Sequence, residues 1–295
     1  MKLSKKLFNY SFAIIAELAI IGILIGTAFD REITGKLGDY SNLFGILFTA
    51  FGTMGTLTIG AFAGIVLFFM PKHQNNKLDV ISRIIGAVAF LGFTAFEVKE
   101  AFAFTNFPRM EAEAETYRAL IATLIGLISL AMILFTKLYI HKLDAKAIIP
   151  VCFMIIIIIV GYAAATEATK YFASRPRPRV IDLHIADFRQ WYQFHPFEAF
   201  KEPFKDCKSW VSGHSANAAC MISVLPLVLS LRKEDNTLTV QLIAIIVGAL
   251  YAFVTAISSV IARAHFTSDV MSGILVSIII QVLVLNISRK VLEKH

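Results

Sequence analysis

An all-α bundle of about eight transmembrane helices is the fold class that this sequence predicts, on three observations. Of its 295 residues, 57% are apolar and only 17% charged, and the mean hydropathy of +0.70 lies well outside the range of soluble globular chains. The apolar residues fall in long runs, several of which reach the roughly 18 to 20 residues that a helix needs to cross about 30 Å of hydrocarbon. Basic residues, finally, gather on alternate connections between those runs, as the positive-inside rule requires of a chain that crosses repeatedly.

The expected spans lie near residues 10–29, 45–70, 84–104, 119–140, 148–169, 214–231, 240–262 and 270–287. The first follows a basic start, MKLSKK, but its apolar stretch is long and no small-residue cleavage site follows, so it reads as an uncleaved first helix. Glu97, Lys99 and Glu100, near the end of the third run, read as a solvated helix end, with a headgroup contact as the alternative. The first four runs, residues 1–147, contain no catalytic motif. Residues 148–295 hold every motif discussed below, with a long connection, 170–212, between the fifth and sixth runs. Lys2, Lys5 and Lys6, then Lys72, Lys77 and Arg83, Lys137, Lys142 and Lys146, Arg232 and Lys233, and Arg289, Lys290 and Lys294 mark one side. They predict cytoplasmic termini in a cytoplasmic membrane, with the connection 170–212 facing outward.

The net charge of +7 does not indicate nucleic acid, because the basic residues are spread over short loops and form no basic helix or aromatic-basic stripe. Cys152, Cys207 and Cys220 form no disulfide framework, since two of them lie in apolar runs. No internal repeat or soluble domain is visible, and nothing in the pattern specifies an oligomeric state.

Long ordered loops more often carry function than decoration, and two clusters bound this one. At its start, KYFASRPRPRV crowds Lys170, Arg175, Arg177 and Arg179 together, with Pro176 and Pro178 stiffening the backbone between them. Guanidinium forks and a lysine suit a bound phosphate; a basic patch on anionic lipid headgroups suits the same residues. At its end, KSWVSGHSANAA places Ser212, Gly213 and His214 at the start of an apolar helix. There the free N–H groups favour an anion and Ser212 serves as a cap that also donates to phosphate. The alternative makes Ser212 only a cap and His214 an interfacial residue.

A third cluster lies in ISSVIARAHFTSDV, residues 257–270, where ionisable groups stand at membrane depth and so point to a function. His265 and Asp269, four apart, share a helix face, so the carboxylate orients the imidazole by accepting from one ring N–H and leaves the other nitrogen free. A structural buried pair, or half of a metal site, would look the same, although further ligands at metal-binding spacing are missing from the sequence.

Taken in order, Lys170-x6-Arg177-Pro178, Ser212-Gly213-His214 and His265-x3-Asp269 resemble the three-part signature of the type 2 phosphatidic acid phosphatase (PAP2) superfamily over roughly residues 165–287. That superfamily includes lipid phosphate phosphatases, bacterial phosphatidylglycerophosphate and undecaprenyl-diphosphate phosphatases, and soluble haloperoxidases. The resemblance implies a metal-independent, cofactor-free hydrolase acting on the phosphate or diphosphate of a membrane lipid at the outer face. In it His265 is the nucleophile, forming a phosphohistidine, Asp269 orients it, and His214 is the general acid and base. Lys170, Arg177, Ser212 and Gly213 would bind the phosphoryl group.

Two departures qualify the match. Val211 stands where the family usually has proline, and Ser259 where it usually has a phosphate-binding arginine. Arg263, one turn beyond Ser259 on a continuous helix, is the expected replacement, with Arg175 the second candidate. The departures also motivate a second reading, a weakly catalytic relative that binds or moves phospholipid; a related enzyme reading is a lipid phosphotransferase, which passes the phosphoryl group to an acceptor other than water. The lipid itself is not legible, because its tail meets only generic apolar helix.

Overall fold

The computed structural model describes residues 4–70, 76–102, 114–142, 144–231 and 237–292. Among them there are helices, turns and loops but no strand. Eleven α-helices follow one another: α1 (Lys5–Leu37), α2 (Leu43–Phe51), α3 (Met54–Phe69), α4 (Asn76–Phe102), α5 (Ala114–Tyr139), α6 (Ala145–Ala173), α7 (Pro178–Asp182), α8 (Gly213–Ala219), α9 (Met221–Leu229), α10 (Leu238–Ile261) and α11 (Thr267–Leu292). Several begin at a side-chain cap that takes up an otherwise unpaired N–H: Ser4 accepts from Leu7, Asn42 from Gly45, Asp144 from Lys146 and Thr237 from Val240.

Among the described residues, seven stretches are long and apolar enough to cross a membrane, Lys5–Leu37, Leu43–Phe69, Lys77–Phe102, Glu115–Lys142, Ala145–Asp182, Leu238–Ile261 and Thr267–Ser288. The remaining expected run, the sixth, is shorter. It forms α8 and α9, broken at Cys220, whose N–H returns three residues to the Asn217 carbonyl (3.0 Å). Ser215 to Ala219 of α8 are all buried, so this piece fills the bundle interior rather than facing lipid. Outward-facing positions carry large apolar side chains such as Leu24 on α1 and Leu120 and Leu138 on α5, each 65% exposed, as a hydrocarbon solvent allows and water would penalise.

The helices pack around one buried cluster that joins Phe12 of α1, Leu57 of α3, Ile158 of α6, Ile222 of α9 and Ile278 of α11. Because lipid tails are as apolar as leucine, close backbone approach rather than the hydrophobic effect holds such helices together. The α3/α4 contact illustrates it: a Cβ on Gly64 would lie 2.6 Å from the Phe90 nitrogen, and one on Gly86 2.6 Å from the Gly64 carbonyl oxygen. A second, smaller cluster links Ile46 of α2 and Ala101 of α4 to Ile121 and Ile125 of α5.

Contacts between termini of helices define two ends of the bundle. At one, the Ser4 N–H donates to Gln241 (3.0 Å); at the other, the Asp39 N–H donates to the Ile261 carbonyl (2.8 Å). The connection 170–212 belongs to the second end, with the α10/α11 turn. It is folded onto the helices: Trp191 donates to Thr27 of α1 (2.8 Å) and stacks on Trp210 at 5.7 Å, and the Ser209 N–H donates to the Arg175 carbonyl (2.9 Å). Lys5, Lys6, Lys77, Arg83, Lys137, Lys142 and Lys146 belong to the first end, following the alternation of the helices. Lys2, Lys72, Arg232, Lys233 and Lys294 lie outside the described residues.

Candidate active site

The turn between α10 and α11 builds one half of the site. After Ile261 the chain leaves the helix, Arg263 takes a left-handed conformation (φ 54°), and the N–H groups of Ala264 and His265 both return to the Ser259 carbonyl, at 3.0 and 3.2 Å. That turn drives His265 inward until none of it is exposed. Its Nδ1 lies 2.9 Å from the Ser209 carbonyl oxygen, so the Nδ1–H tautomer donates there and the lone pair sits on Nε2. Among the described residues Nε2 is buried with no hydrogen-bond partner. Burial first, then the charges of Arg177, His214 and Lys170, push His265 well below the ordinary histidine range, against a smaller opposing effect of the Ser209 carbonyl. The ring is therefore neutral at pH 7.

Asp269, in the first turn of α11, does not hold that imidazole directly. Its Oδ2 is 4.0 Å from His265 Nδ1, and its oxygens are taken by other donors. Arg175 donates to Oδ1 (2.5 Å), the Ser209 hydroxyl to Oδ2 (2.5 Å) and the Phe266 N–H to Oδ2 (2.9 Å). The expected direct carboxylate–imidazole bond is thus replaced by a relay in which Asp269 fixes Ser209 and the Ser209 carbonyl fixes His265.

The other half comes from α8 and α6. Ser212 caps α8, its Oγ accepting from the Ser215 N–H (3.4 Å), which leaves Gly213 and His214 at helix positions whose N–H groups no intrahelical carbonyl reaches. The His214 ring centroid lies 5.6 Å from that of His265. Lys170, in the last turn of α6, bonds Glu167 at 2.5 Å, and a Cβ on Gly213 would lie only 3.0 Å from its Nζ. Glycine is what lets the ammonium approach this helix end. Arg177, at the start of α7, has a buried Nε without a partner among the described residues. Lys170, Arg177, Gly213 and His214 line a cavity of about 710 Å³, together with Arg179 and Lys208. His214, Lys170 and Arg177 around this space, with the buried His265 ring directly behind His214, suit the transfer of a phosphoryl group.

The PAP2 superfamily matches residues 147–293. This chain carries a PAP2 superfamily domain. The domain opens in α6, closes in α11 and contains all three sequence motifs; α1 to α5 precede it. Neither the curated proteins nor the solved structures compared with the chain gave a match.

Two expected phosphate ligands of the PAP2 domain are engaged by other groups. Arg175 is fully buried; besides Asp269 it binds Asp30 of α1 (2.9 Å), the Ser268 hydroxyl (2.8 Å) and the Arg189 carbonyl (2.8 Å). It is the centre of a buried ion cluster, which is how a charge is tolerated without water. Arg263 makes a two-pronged bond to Asp182 (2.8 and 2.7 Å), with Tyr40 donating to the same carboxylate (2.5 Å). The expected replacement assumed a helix continuous through Arg263, but α10 ends two residues earlier and the left-handed turn redirects the side chain. Ser259 itself is buried and donates to the Thr255 carbonyl (2.9 Å).

Sequence reasoning also missed partners from outside the PAP2 domain. Asp30 accepts from the Ser268 N–H (2.9 Å) and so caps α11 from α1. Glu100, expected at a solvated helix end, is 17% exposed and lies 3.2 Å from His214 Nε2. Glu97 is buried and accepts from Thr58 (2.6 Å). The signal for all three was available, since carboxylates near the ends of apolar runs imply partners.

Proposed function

We propose that the protein is a metal-independent phosphatase that removes phosphate from a membrane lipid phosphate or diphosphate through a phosphohistidine. The observation that carries this reading is that Nε2 of the buried, neutral His265, beside His214, has no hydrogen-bond partner among the described residues. A histidine nucleophile needs a lone pair without a competing donor and in the correct tautomer.

In the proposed reaction the phosphoryl oxygens meet Lys170, Arg177, the Ser212 hydroxyl and the Gly213 N–H. His265 Nε2 attacks phosphorus while the bond from phosphorus to the lipid oxygen breaks, and His214 delivers a proton to that oxygen. The lipid leaves as an alcohol, or as a monophosphate when the substrate is a diphosphate. His214 then takes a proton from water, the hydroxide attacks phosphorus, the P–N bond breaks and inorganic phosphate departs. Positive groups aimed at the transferring phosphoryl group supply the largest share of the rate, about 10²–10³ each where water is excluded.

The basic loops at the end opposite the site support cytoplasmic termini and a site on the outer face of the cytoplasmic membrane. The lipid tail would leave the cavity between helices into the bilayer. Phosphate release from dioctanoyl phosphatidate by purified protein in detergent tests the reading. Release that persists in excess EDTA and is lost in His265→Ala is expected; a strict requirement for Mg²⁺ would overturn the mechanism.

A further inference from the structure

Among the described residues, Glu100 is the carboxylate that meets His214 from outside the PAP2 domain. We infer that it is a positioning residue for His214, holding the ring so that its second nitrogen serves the leaving oxygen; the inference rests on the phosphatase reading above. Glu100 stands in the last turn of α4, its Oε2 3.2 Å from His214 Nε2. Three residues earlier on the same helix, Glu97 accepts from Thr58 (2.6 Å), which ties α4 to α3 and fixes the height at which Glu100 enters the site. The side chains of Glu100 and His214 are 17% and 16% exposed, so water competes little for the bond.

The chemistry follows from which nitrogen is occupied. With Nε2–H donated to Glu100, the remaining nitrogen, Nδ1, is the one left for substrate, and the hydrogen bond to the first sets the tautomer of the second. A carboxylate on the far side also stabilises the imidazolium that a general acid must be before it gives up its proton. The charge pattern argues the same way. A free carboxylate in a cavity lined by Lys170, Arg177, Arg179 and Lys208 would repel a phosphate. Glu167 and Asp182, the other acids there, pair with Lys170 and Arg263, whereas Glu100 pairs with the histidine. A helix outside the PAP2 domain would thus complete the acid–base machinery.

The test compares leaving groups. The ratio kcat/KM covers every step up to departure of the leaving group, so it isolates proton delivery by His214 from later hydrolysis of the phosphohistidine. Dodecyl phosphate leaves as an alkoxide unless protonated; 4-nitrophenyl phosphate leaves as a stable phenolate and needs no acid. Glu100→Gln is expected to lose about a hundredfold in kcat/KM on dodecyl phosphate but less than about threefold on 4-nitrophenyl phosphate. Glu100→Asp, which keeps the carboxylate, is expected to recover part of the alkyl loss. Equal losses on both substrates, or no loss on either, would overturn the positioning role, since a purely structural or phosphate-binding effect does not depend on the leaving group. If Glu100→Gln fails to fold, Glu100→Asp is read by the same ratio of alkyl to aryl loss. A wild-type protein that releases phosphate from neither substrate, or a His265→Ala variant that still releases it, overturns the phosphatase reading and this inference with it. An active wild type, a silent His265→Ala and equal losses for Glu100→Gln overturn this inference alone.

Discussion

At the scale of single residues, the two arginines nearest the motif, Arg175 and Arg263, are bound to carboxylates, while Arg177 keeps a buried Nε without a partner among the described residues. Arg177→Ala is therefore expected to lose about two to three orders of magnitude in kcat/KM. Arg263→Ala, which breaks a partly exposed pair with Asp182, is expected to stay within about tenfold of wild type by phosphate release. His265 also makes a pH-dependent contribution to stability. Burial holds its folded-state value well below the ordinary one, so below about pH 6.5 the unfolded chain binds a proton that the folded chain does not. Stability is complete above that pH and falls by up to about 1.4 kcal/mol per pH unit below it while His265 stays neutral. Thermal unfolding of wild type and His265→Gln between pH 5 and 7.5 checks this, the wild-type curve being expected to fall more steeply toward acid.

At the scale of helices, the apolar runs located every long helix, because hydropathy reports directly on the lipid surroundings. It does not report where a helix ends. The first run, expected over 10–29, lies within α1, Lys5–Leu37, since Ser4 caps one end and the other continues past the apolar stretch to carry Asp30 and Thr34 inward. The sixth run was legible as an apolar helix but not as an internal, broken one, because burial in protein and burial in lipid look alike in composition. The α3/α4 contact shows what composition hides: Gly64 and Gly86 are unremarkable in sequence, yet each faces the backbone around the other. Gly64→Val is expected to cost about 1–3 kcal/mol through overpacking, read as a lower midpoint of thermal unfolding in detergent.

At the scale of the whole molecule, the site lies at the end of the bundle opposite the basic loops. Lys205, 63% exposed, tests the proposed sidedness. Cys152, Cys207 and Cys220 are all buried, and burial pushes the Cys207 thiol up to about 11, so background labelling is expected to be low. A cysteine introduced by Lys205→Cys is expected to react with an impermeant maleimide in intact cells; reaction only after permeabilisation would invert the topology. The all-α membrane bundle, its long helices and the three motifs of the PAP2 domain were determined by the sequence alone, because apolar runs and short-range spacing are local properties of the chain. Only the tertiary structure decided which charges are spent on one another. Asp30 reaches Arg175 across 145 positions and Arg263 reaches Asp182 across 81. Glu100 meets His214 from a helix outside the domain. Pairing at such separations depends on how helices cross and where turns redirect side chains, and no local pattern in a sequence records either.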